Sequence, residues 1–158
     1  MRAKKTPTRI IKPDGKYGSV RVAKLINYVM VDGKKTIAEK MVYQTLEKLA
    51  LESKKKPLEA FEEAVKNVTP EMEVRSRRVG GAAYQVPMPV KPARGFALAL
   101  RWLVEEANKR PNKQYQSFEA KLYAEMMDAI NNTGGAVARK ETAHKAAEAN
   151  RAFAHFRW

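Results

Sequence analysis

The sequence predicts a mainly α fold of six helices with one two-stranded β-hairpin. From residue 19 onward, apolar residues recur at the three- and four-residue spacing of helices through most of the chain. One stretch, at about 73–90, instead alternates with the period of two that is typical of strands and contains a Gly-Gly pair at its centre. With 158 residues, the chain is most simply one domain.

The first twelve residues predict a flexible basic arm. Residues 1–12 carry five cations and no acidic residue, and they show no helical pattern. Such segments often become ordered only on nucleic acid. We therefore expect an arm at 1–12 and a single helical domain at 13–158, which begins with the turn sequence PDGKYG.

Start and stop signals delimit the first three helices. Ser19 can N-cap the first helix, and Gly33 ends it. The capping box Thr36–Glu39 opens the second helix. Pro57 suits the first position of the third helix, which a Thr-Pro pair stops. The residues expected to face the core are Val22, Leu25, Ile26, Val29 and Met30, then Ile37, Met41, Val42, Leu46 (or Thr45) and Leu49, then Leu58, Phe61, Val65 and Val68.

Three further helices follow the hairpin. We expect the fourth at 93–109, the fifth from about Ser117 to Ile130 and the sixth from about Val137 to Phe153. The sixth is rich in alanine, the best helix former, but its apolar stripe is thin, so packing alone should anchor it poorly. The core positions expected in the fourth and fifth helices are Phe96, Leu100, Leu103 and Ala107, then Phe118, Leu122, Met126 and Ala129.

The stretch EVRSRRVGGAAYQVPMPV predicts the hairpin at about 73–90. Gly80 and Gly81 supply the positive φ that a tight turn needs. Pro87 and Pro89 cannot donate to a ladder, and their spacing of two leaves one edge of the strand bare. The prolines therefore favour a ribbon of two strands over a larger sheet. Such a ribbon is marginal in water and must lean on helices or on a partner.

Charge is the strongest functional signal in the sequence. Thirty-one Lys+Arg against seventeen Asp+Glu leave a net charge of +14, which predicts a polyanionic partner. A membrane is the weaker candidate, because Arg101 interrupts the longest apolar run, which is too short to span a bilayer. The thirty-one residues between Glu73 and Glu105 include no acid and six cations. Five of the six are arginine, which grips phosphate bidentately and stacks on bases.

Two helix faces extend this signal for nucleic acid. Arg94 and Arg101 are seven residues apart and share a face of the fourth helix. Arg21 and Lys24 likewise share a face of the first helix. Phosphate contacts carry no information about the sugar, so these residues alone do not separate RNA from DNA. An architectural DNA-binding protein that bends duplexes with an arginine-bearing ribbon is the main alternative.

The sequence lacks the signatures of an enzyme. It contains no cysteine, which excludes disulfides and cysteine-based zinc sites and makes the cytosol the default compartment. No phosphate-binding glycine motif and no apolar leader segment is visible. His144 and His155 make no metal cluster, and Glu62–Glu63 and Glu105–Glu106 diverge around their helices. We therefore expect no catalytic residue, metal or cofactor, and an RNA-modifying enzyme is the second alternative.

Three long motifs resemble a known family. The segments LINYVMVDGKKTIAE, VRSRRVGGAAYQVP and AEANRAFAHFRW together resemble the bacterial-type members of the small-subunit ribosomal protein seven family, from PDGKYGS to Trp158. The resemblance implies a bundle of six helices with one protruding two-stranded β-hairpin, in agreement with the elements above. It also implies a primary binder of the 3′ major domain of small-subunit ribosomal RNA, which nucleates assembly of the subunit head.

The same resemblance implies partners and RNA-facing residues. The implied partners are small-subunit ribosomal RNA, E-site tRNA, mRNA and small-subunit ribosomal proteins nine and eleven. The protein would be a monomer when free, and would belong to a cytoplasmic ribosome or, alternatively, an organellar one. The hairpin and the last helix are the parts implied near E-site tRNA. Together with the first-helix face of Arg21 and Lys24, the RNA-binding residues expected are Lys4, Lys5, Arg9, Lys34, Lys35, Arg75, Arg77, Arg78, Arg94, Arg101, Arg139, Lys140 and Arg151.

Overall fold

The computed structural model describes residues 10–157. Within this range six α-helices are accompanied by one two-stranded antiparallel hairpin and a short 3₁₀ helix, which confirms the predicted class and the six helices. None of these helices has the length and apolar character that a bilayer span requires. The elements are α1 (Val20–Val29), α2 (Lys35–Ser53), α3 (Pro57–Val68), β1 (Met72–Val79), β2 (Ala82–Pro89), α4 (Pro92–Lys109), α5 (Phe118–Ile130), α6 (Gly135–Ala149) and the 3₁₀ helix (Arg151–Phe156).

One continuous core joins all six helices. α5 packs against α2, α3, α4 and α6, so its apolar face lies at the centre of the bundle. Phe61, Leu100, Leu122 and Met126 are fully buried there, as their helical spacing predicts. Full burial of one such side chain stabilises the fold by about 1.5–3 kcal/mol. The packed bundle therefore provides the surface against which the hairpin lies.

The start of α2 differs from the prediction. The helix begins at Lys35, so Thr36 lies inside it and the predicted capping box is wrong. Ile37, predicted to be buried, is 52% exposed, and Ala38 faces the core instead. The apolar residues of α2 cover two adjacent stripes, and packing against α5 and α3 selects the stripe that begins at Ala38. The side chain of Ile37 is left at the edge of a groove.

Helix caps follow the sequence only in part. Ser19 occupies the N-cap of α1 as predicted, but its side chain makes no capping hydrogen bond. Ser117 does cap α5, because its Oγ accepts the backbone N–H of Ala120 at 3.4 Å. α6 ends at Ala149, four residues before its predicted end, and the chain tightens into the 3₁₀ helix. Capping contacts thus affect the residues at which a helix begins and ends, whereas the presence of each helix is less sensitive to them.

α6 is held mainly by polar contacts, as its thin apolar stripe leads one to expect. Its buried residues are small or few: Ala136, Val137 and Ala147. At its start, Gly134 and Gly135 allow a close approach to α5 and α4. A Cβ on Gly134 would lie 2.9 Å from the Cβ of Asp128, and one on Gly135 would lie 2.8 Å from a carboxylate oxygen of Glu106.

An ionic network centred on the buried carboxylate of Glu125 joins α4, α5 and α6. Arg110 donates from Nε and Nη2 to the same carboxylate oxygen of Glu125, at 2.9 and 2.6 Å, and also contacts Asp128. The other oxygen of Glu125 accepts the backbone N–H of Ala136 at 2.8 Å. Burial lowers the pKa of Arg110, but the hydrogen bonds to Asp128 and Glu125 outweigh it and raise the pKa overall. The arginine therefore stays charged inside the network.

The turn PDGKYG is organised by the buried carboxylate of Asp14. One of its oxygens accepts the backbone N–H groups of Lys16 and Tyr17, at 3.1 and 2.8 Å. The other accepts the hydroxyl of Tyr43 on α2. Burial and this hydrogen bond raise the pKa of Tyr43 to about 12. The turn is thus fixed to the bundle by a contact that requires a protonated tyrosine.

This contact predicts a dependence of stability on alkaline pH. The folded pKa of Tyr43 is raised above the ordinary value of 10.0, so its contribution is complete below pH 10 and is lost as the pH rises toward 12. The variant Tyr43→Phe should be less stable by about 1.5 kcal/mol at neutral pH. Between pH 10 and 12 the wild type should lose stability more steeply than the variant. Urea unfolding at a series of pH values measures this difference, and parallel curves would contradict it.

Candidate nucleic-acid interface

The hairpin closes through a two-residue turn, as predicted. Val79 pairs with Ala82, which leaves Gly80 and Gly81 as the loop. Both glycines have positive φ, at 58° and 92°, as a type I′ turn requires. Pro87 lies in β2, which has one edge without a partner strand because the sheet has only two strands. Proline lacks a backbone N–H, and at that edge its absence costs no hydrogen bond between strands.

The C-terminal segment supports the hairpin. The ring centroid of Tyr84 lies 5.2 Å from that of Phe153 and 5.3 Å from that of Phe156. The Nε of Arg157 donates to the carbonyl oxygen of Pro87 at 2.7 Å. α6 packs on β1 and the 3₁₀ helix packs on β2. The ribbon therefore leans on helices, as two strands alone would need to do.

Glu73 joins the arginines of the hairpin to those of α4. Its two carboxylate oxygens accept from the Nε of Arg75 at 2.7 Å and from the Nε of Arg94 at 3.2 Å. The side chain of Glu73 is 13% exposed, whereas those of Arg75 and Arg94 are 54% and 47% exposed. Each guanidinium has five N–H donors, so both arginines keep donors that face solvent. Arg101 is exposed two turns farther along the same face of α4.

The other two hairpin arginines lie on different faces of the ribbon. Successive side chains of a strand alternate, so Arg77 shares the face of Arg75 while Arg78 points to the opposite face. Arg77 is half-buried opposite Tyr84, and Arg78 is exposed. The ribbon therefore presents cations on both faces. The set of Arg75, Arg77, Arg78, Arg94 and Arg101 is called the hairpin–α4 arginines below.

The cations of α1 form a separate group. The guanidinium carbon of Arg21 and the ammonium of Lys24 lie 5.5 and 5.6 Å from the ring centroid of Phe96 on α4. Arg21 also lies 3.2 Å from Glu62. Phe96 and Arg94 are two positions apart, about 200° around the helix. Arg21 and Lys24 both approach the ring of Phe96, so they share a face of α1, as predicted. Because the side chain of Arg94 points away from that of Phe96, these two cations lie on a different side of α4 from Arg94.

The two lysines ahead of α2 are largely exposed. The side chains of Lys34 and Lys35 are 65% and 58% exposed. The Nζ of Lys34 is 4.0 Å from Asp32, and that of Lys35 is 3.6 Å from Glu39. Exposed ion pairs of this kind contribute about 0–1 kcal/mol. Neither pairing would compete strongly with a phosphate group.

Two of the three predicted cations near the C-terminus are engaged within the chain. Arg139 contacts both members of Glu105–Glu106, with its Nε 2.6 Å from the second. The Nζ of Lys140 donates to the carbonyl oxygen of Asn67 at 2.9 Å. Arg151 is exposed at the start of the 3₁₀ helix. Arg139 and Lys140 thus anchor α6 to α4 and α3, a structural role that the sequence did not indicate.

Glu73 and Arg157 contribute to the interface without having been predicted. From the sequence, Glu73 is only the border of the acid-free segment. A signal for it exists, because residues two apart on a strand share a face, which places its carboxylate beside Arg75. No local signal exists for Arg157, whose contact with Pro87 spans seventy residues. The predicted arm residues Lys4, Lys5 and Arg9 lie outside the described residues.

The histidines take part in local contacts. The Nε2 of His144 accepts the backbone N–H of Glu71 at 3.0 Å, which ties α6 to the start of the hairpin. The Nδ1 of His155 lies 2.8 Å from the carbonyl oxygen of Ala152. In the part of the chain that the structure describes, no three His, Asp or Glu side chains are grouped so that they could hold a metal ion.

Known proteins are similar to this chain along nearly its whole length. The family described as "Ribosomal protein S7p/S5e" matches residues 1–151. The small ribosomal subunit proteins uS7 of Caldanaerobacter subterraneus and Carboxydothermus hydrogenoformans are each 55% identical over 152 residues, which is 96% of this chain and 96% of each relative. That of Moorella thermoacetica is 51% identical over 154 residues, which is 98% of this chain and 97% of the relative. The alignments therefore span the hairpin, α4 and α6 together.

Proposed function

The chain belongs to the ribosomal protein S7p/S5e family, and we propose that it binds the 3′ major domain of small-subunit ribosomal RNA as a primary binder and nucleates assembly of the head. Family membership makes it a structural constituent of the small ribosomal subunit and not an enzyme. Within the head we place it at the E-site tRNA and the mRNA exit path, beside small-subunit ribosomal proteins nine and eleven. The bacterial relatives favour a cytoplasmic ribosome.

The bridge made by Glu73 is the observation that carries the RNA-binding proposal. Its carboxylate accepts from both guanidinium groups, which brings Arg75 of the hairpin and Arg94 of α4 side by side. Ordering a long charged side chain on binding costs about 0.5–1.5 kcal/mol, and a side chain that is already fixed avoids part of this cost. A folded RNA presents its phosphates at fixed spacings, so two pre-positioned guanidinium groups suit it better than a flexible chain. The net charge of +14 acts in the same direction.

The proposed contacts differ in how they are held. The hairpin–α4 arginines form the principal surface. Further cations lie on other flanks: the half-buried Lys24 and the exposed Arg21, Lys34, Lys35 and Arg151. Arg139 and Lys140 remain in the proposal, although each also anchors α6. Lys4, Lys5 and Arg9, which lie outside the described residues, complete the proposed set of RNA contacts. Each phosphate that is neutralised releases counterions, so binding should weaken steeply as salt rises.

Competition between nucleic acids tests the proposal. The labelled ligand is a fragment of small-subunit ribosomal RNA that contains the 3′ major domain, and the competitors are bent duplex DNA and a 5′-domain fragment of the same RNA. We expect the 3′-domain fragment to bind about a thousandfold or more tighter than either competitor. A preference for bent DNA would instead indicate an architectural DNA-binding protein. Equal affinity for the two RNA fragments would contradict the assignment to the 3′ domain.

A further inference from the structure

An apolar groove with a volume of about 260 Å³ lies between the end of α1, the start of α2 and α4. Val31 and Ile37 line it and are 68% and 52% exposed. Two large β-branched side chains that stay exposed in the same groove form an apolar patch of the kind that marks interaction sites. The hairpin–α4 arginines do not line this groove, so the surface described above does not account for it.

The polar and aromatic residues of the groove match the parts of one nucleotide. Tyr28 and Phe118 provide aromatic rings, on which an unpaired base can stack. Asn108 carries an amide, which can both donate to and accept from a base edge. Lys34 carries a cation for the adjoining phosphate, and its side chain is 65% exposed. We propose that the groove binds one unpaired nucleobase of RNA, an inference that rests on the proposed RNA-binding function.

Charge distinguishes this groove from others on the molecule. None of its ten described lining residues is acidic. Each of three other grooves on the described surface includes at least one Asp or Glu among its lining residues. The lining of this groove therefore carries only positive charge, that of Lys34, which attracts the phosphate of a nucleotide. Lys35, next to Lys34 in sequence, adds a second exposed cation at this end of α2.

Size favours a base over a protein partner. Pockets for drug-sized ligands are about 300–1,000 Å³, and this groove lies just below that range. A specific protein–protein interface buries about 800 Å² on each partner, which requires a much wider surface. The groove therefore suits a single planar group with one charged neighbour. A base splayed out of a loop or bulge of folded RNA has that form.

The double variant Val31→Ser/Ile37→Ser tests this site. It removes apolar contact and leaves every charge in place, so affinity for the 3′-domain RNA fragment should fall about tenfold, while the salt slope of binding should stay unchanged. Lys34→Ala should lower affinity and also reduce the slope by about one. Base-specific chemical probing of the bound RNA should show one unpaired base that wild-type protein protects and the double variant exposes.

Leu51→Ser is the matched control. Leu51 is 81% exposed and does not line the groove, so this variant should bind as the wild type does. If the double variant fails to fold, the single variant Val31→Ser, in a loop, gives the same chemical-probing readout. Unchanged RNA affinity and unchanged protection of the base in the folded variant would overturn the proposal. The groove would then be a candidate contact for a neighbouring protein. If wild-type protein shows no preference for the RNA fragment, the proposed function itself fails, and the base site falls with it.

Discussion

Replacing Glu125 with alanine is expected to lower the free energy of unfolding by about 3–5 kcal/mol. The side chain of Glu125 is 2% exposed, and its carboxylate accepts two hydrogen bonds from Arg110 and one from the backbone of Ala136. The substitution leaves the largely buried guanidinium of Arg110, whose side chain is 16% exposed, with the more exposed Asp128 as its remaining counter-charge. It also leaves a buried N–H at the start of α6 without its acceptor, which adds a desolvation cost. Urea unfolding followed by circular dichroism measures the loss.

The position of the network also predicts where the damage appears. α6 depends on polar contacts, so its amide protons should lose more protection from hydrogen exchange than those of α2. Glu141→Ala, at an exposed position of the same helix, is the control and should change stability by at most about 0.5 kcal/mol. A loss below about 1 kcal/mol for Glu125→Ala would show that the network does not hold α6 in place.

Replacing Arg75, Arg77 and Arg78 with alanine is expected to weaken binding to the 3′-domain RNA fragment by about a thousandfold. Each charged hydrogen bond that is lost costs about 1.5 kcal/mol. The slope of log affinity against log salt should fall by about one for each phosphate contact, or about three in total. The hairpin should remain folded, because Tyr84 and the C-terminal aromatic rings hold it independently of these arginines.

A control variant with the same change in net charge distinguishes contacts made by the hairpin from the effect of net charge alone. Lys54→Ala/Lys55→Ala/Lys56→Ala also removes three cations, from the exposed connection between α2 and α3. If the hairpin makes the contacts, this variant should keep most of the affinity and of the salt slope. Equal losses in the two triple variants would show that only net charge matters. An unchanged salt slope in the arginine variant would show that the hairpin arginines make no phosphate contacts.

Local signals in the sequence specify which elements form. Gly80 and Gly81 readily adopt the positive φ that a tight turn requires. Pro57 favours the first turn of a helix, and neither preference depends on the surrounding structure. The strand arginines and the apolar faces of α3, α4 and α5 follow from periods of two and 3.6. These signals act within a few residues, so they survive in any tertiary context.

Long-range contacts between residues depend on how the elements pack. Glu73 reaches Arg94 across twenty-one residues, and Lys140 reaches the carbonyl of Asn67 across seventy-three. Such contacts exist only after the helices have packed, and no local pattern encodes them. Packing also selected one of two apolar stripes on α2, which left Ile37 at the edge of a groove. The sequence therefore showed that the chain carries cations for a polyanion, and only the packed helices showed which cations are pre-positioned and which anchor the fold.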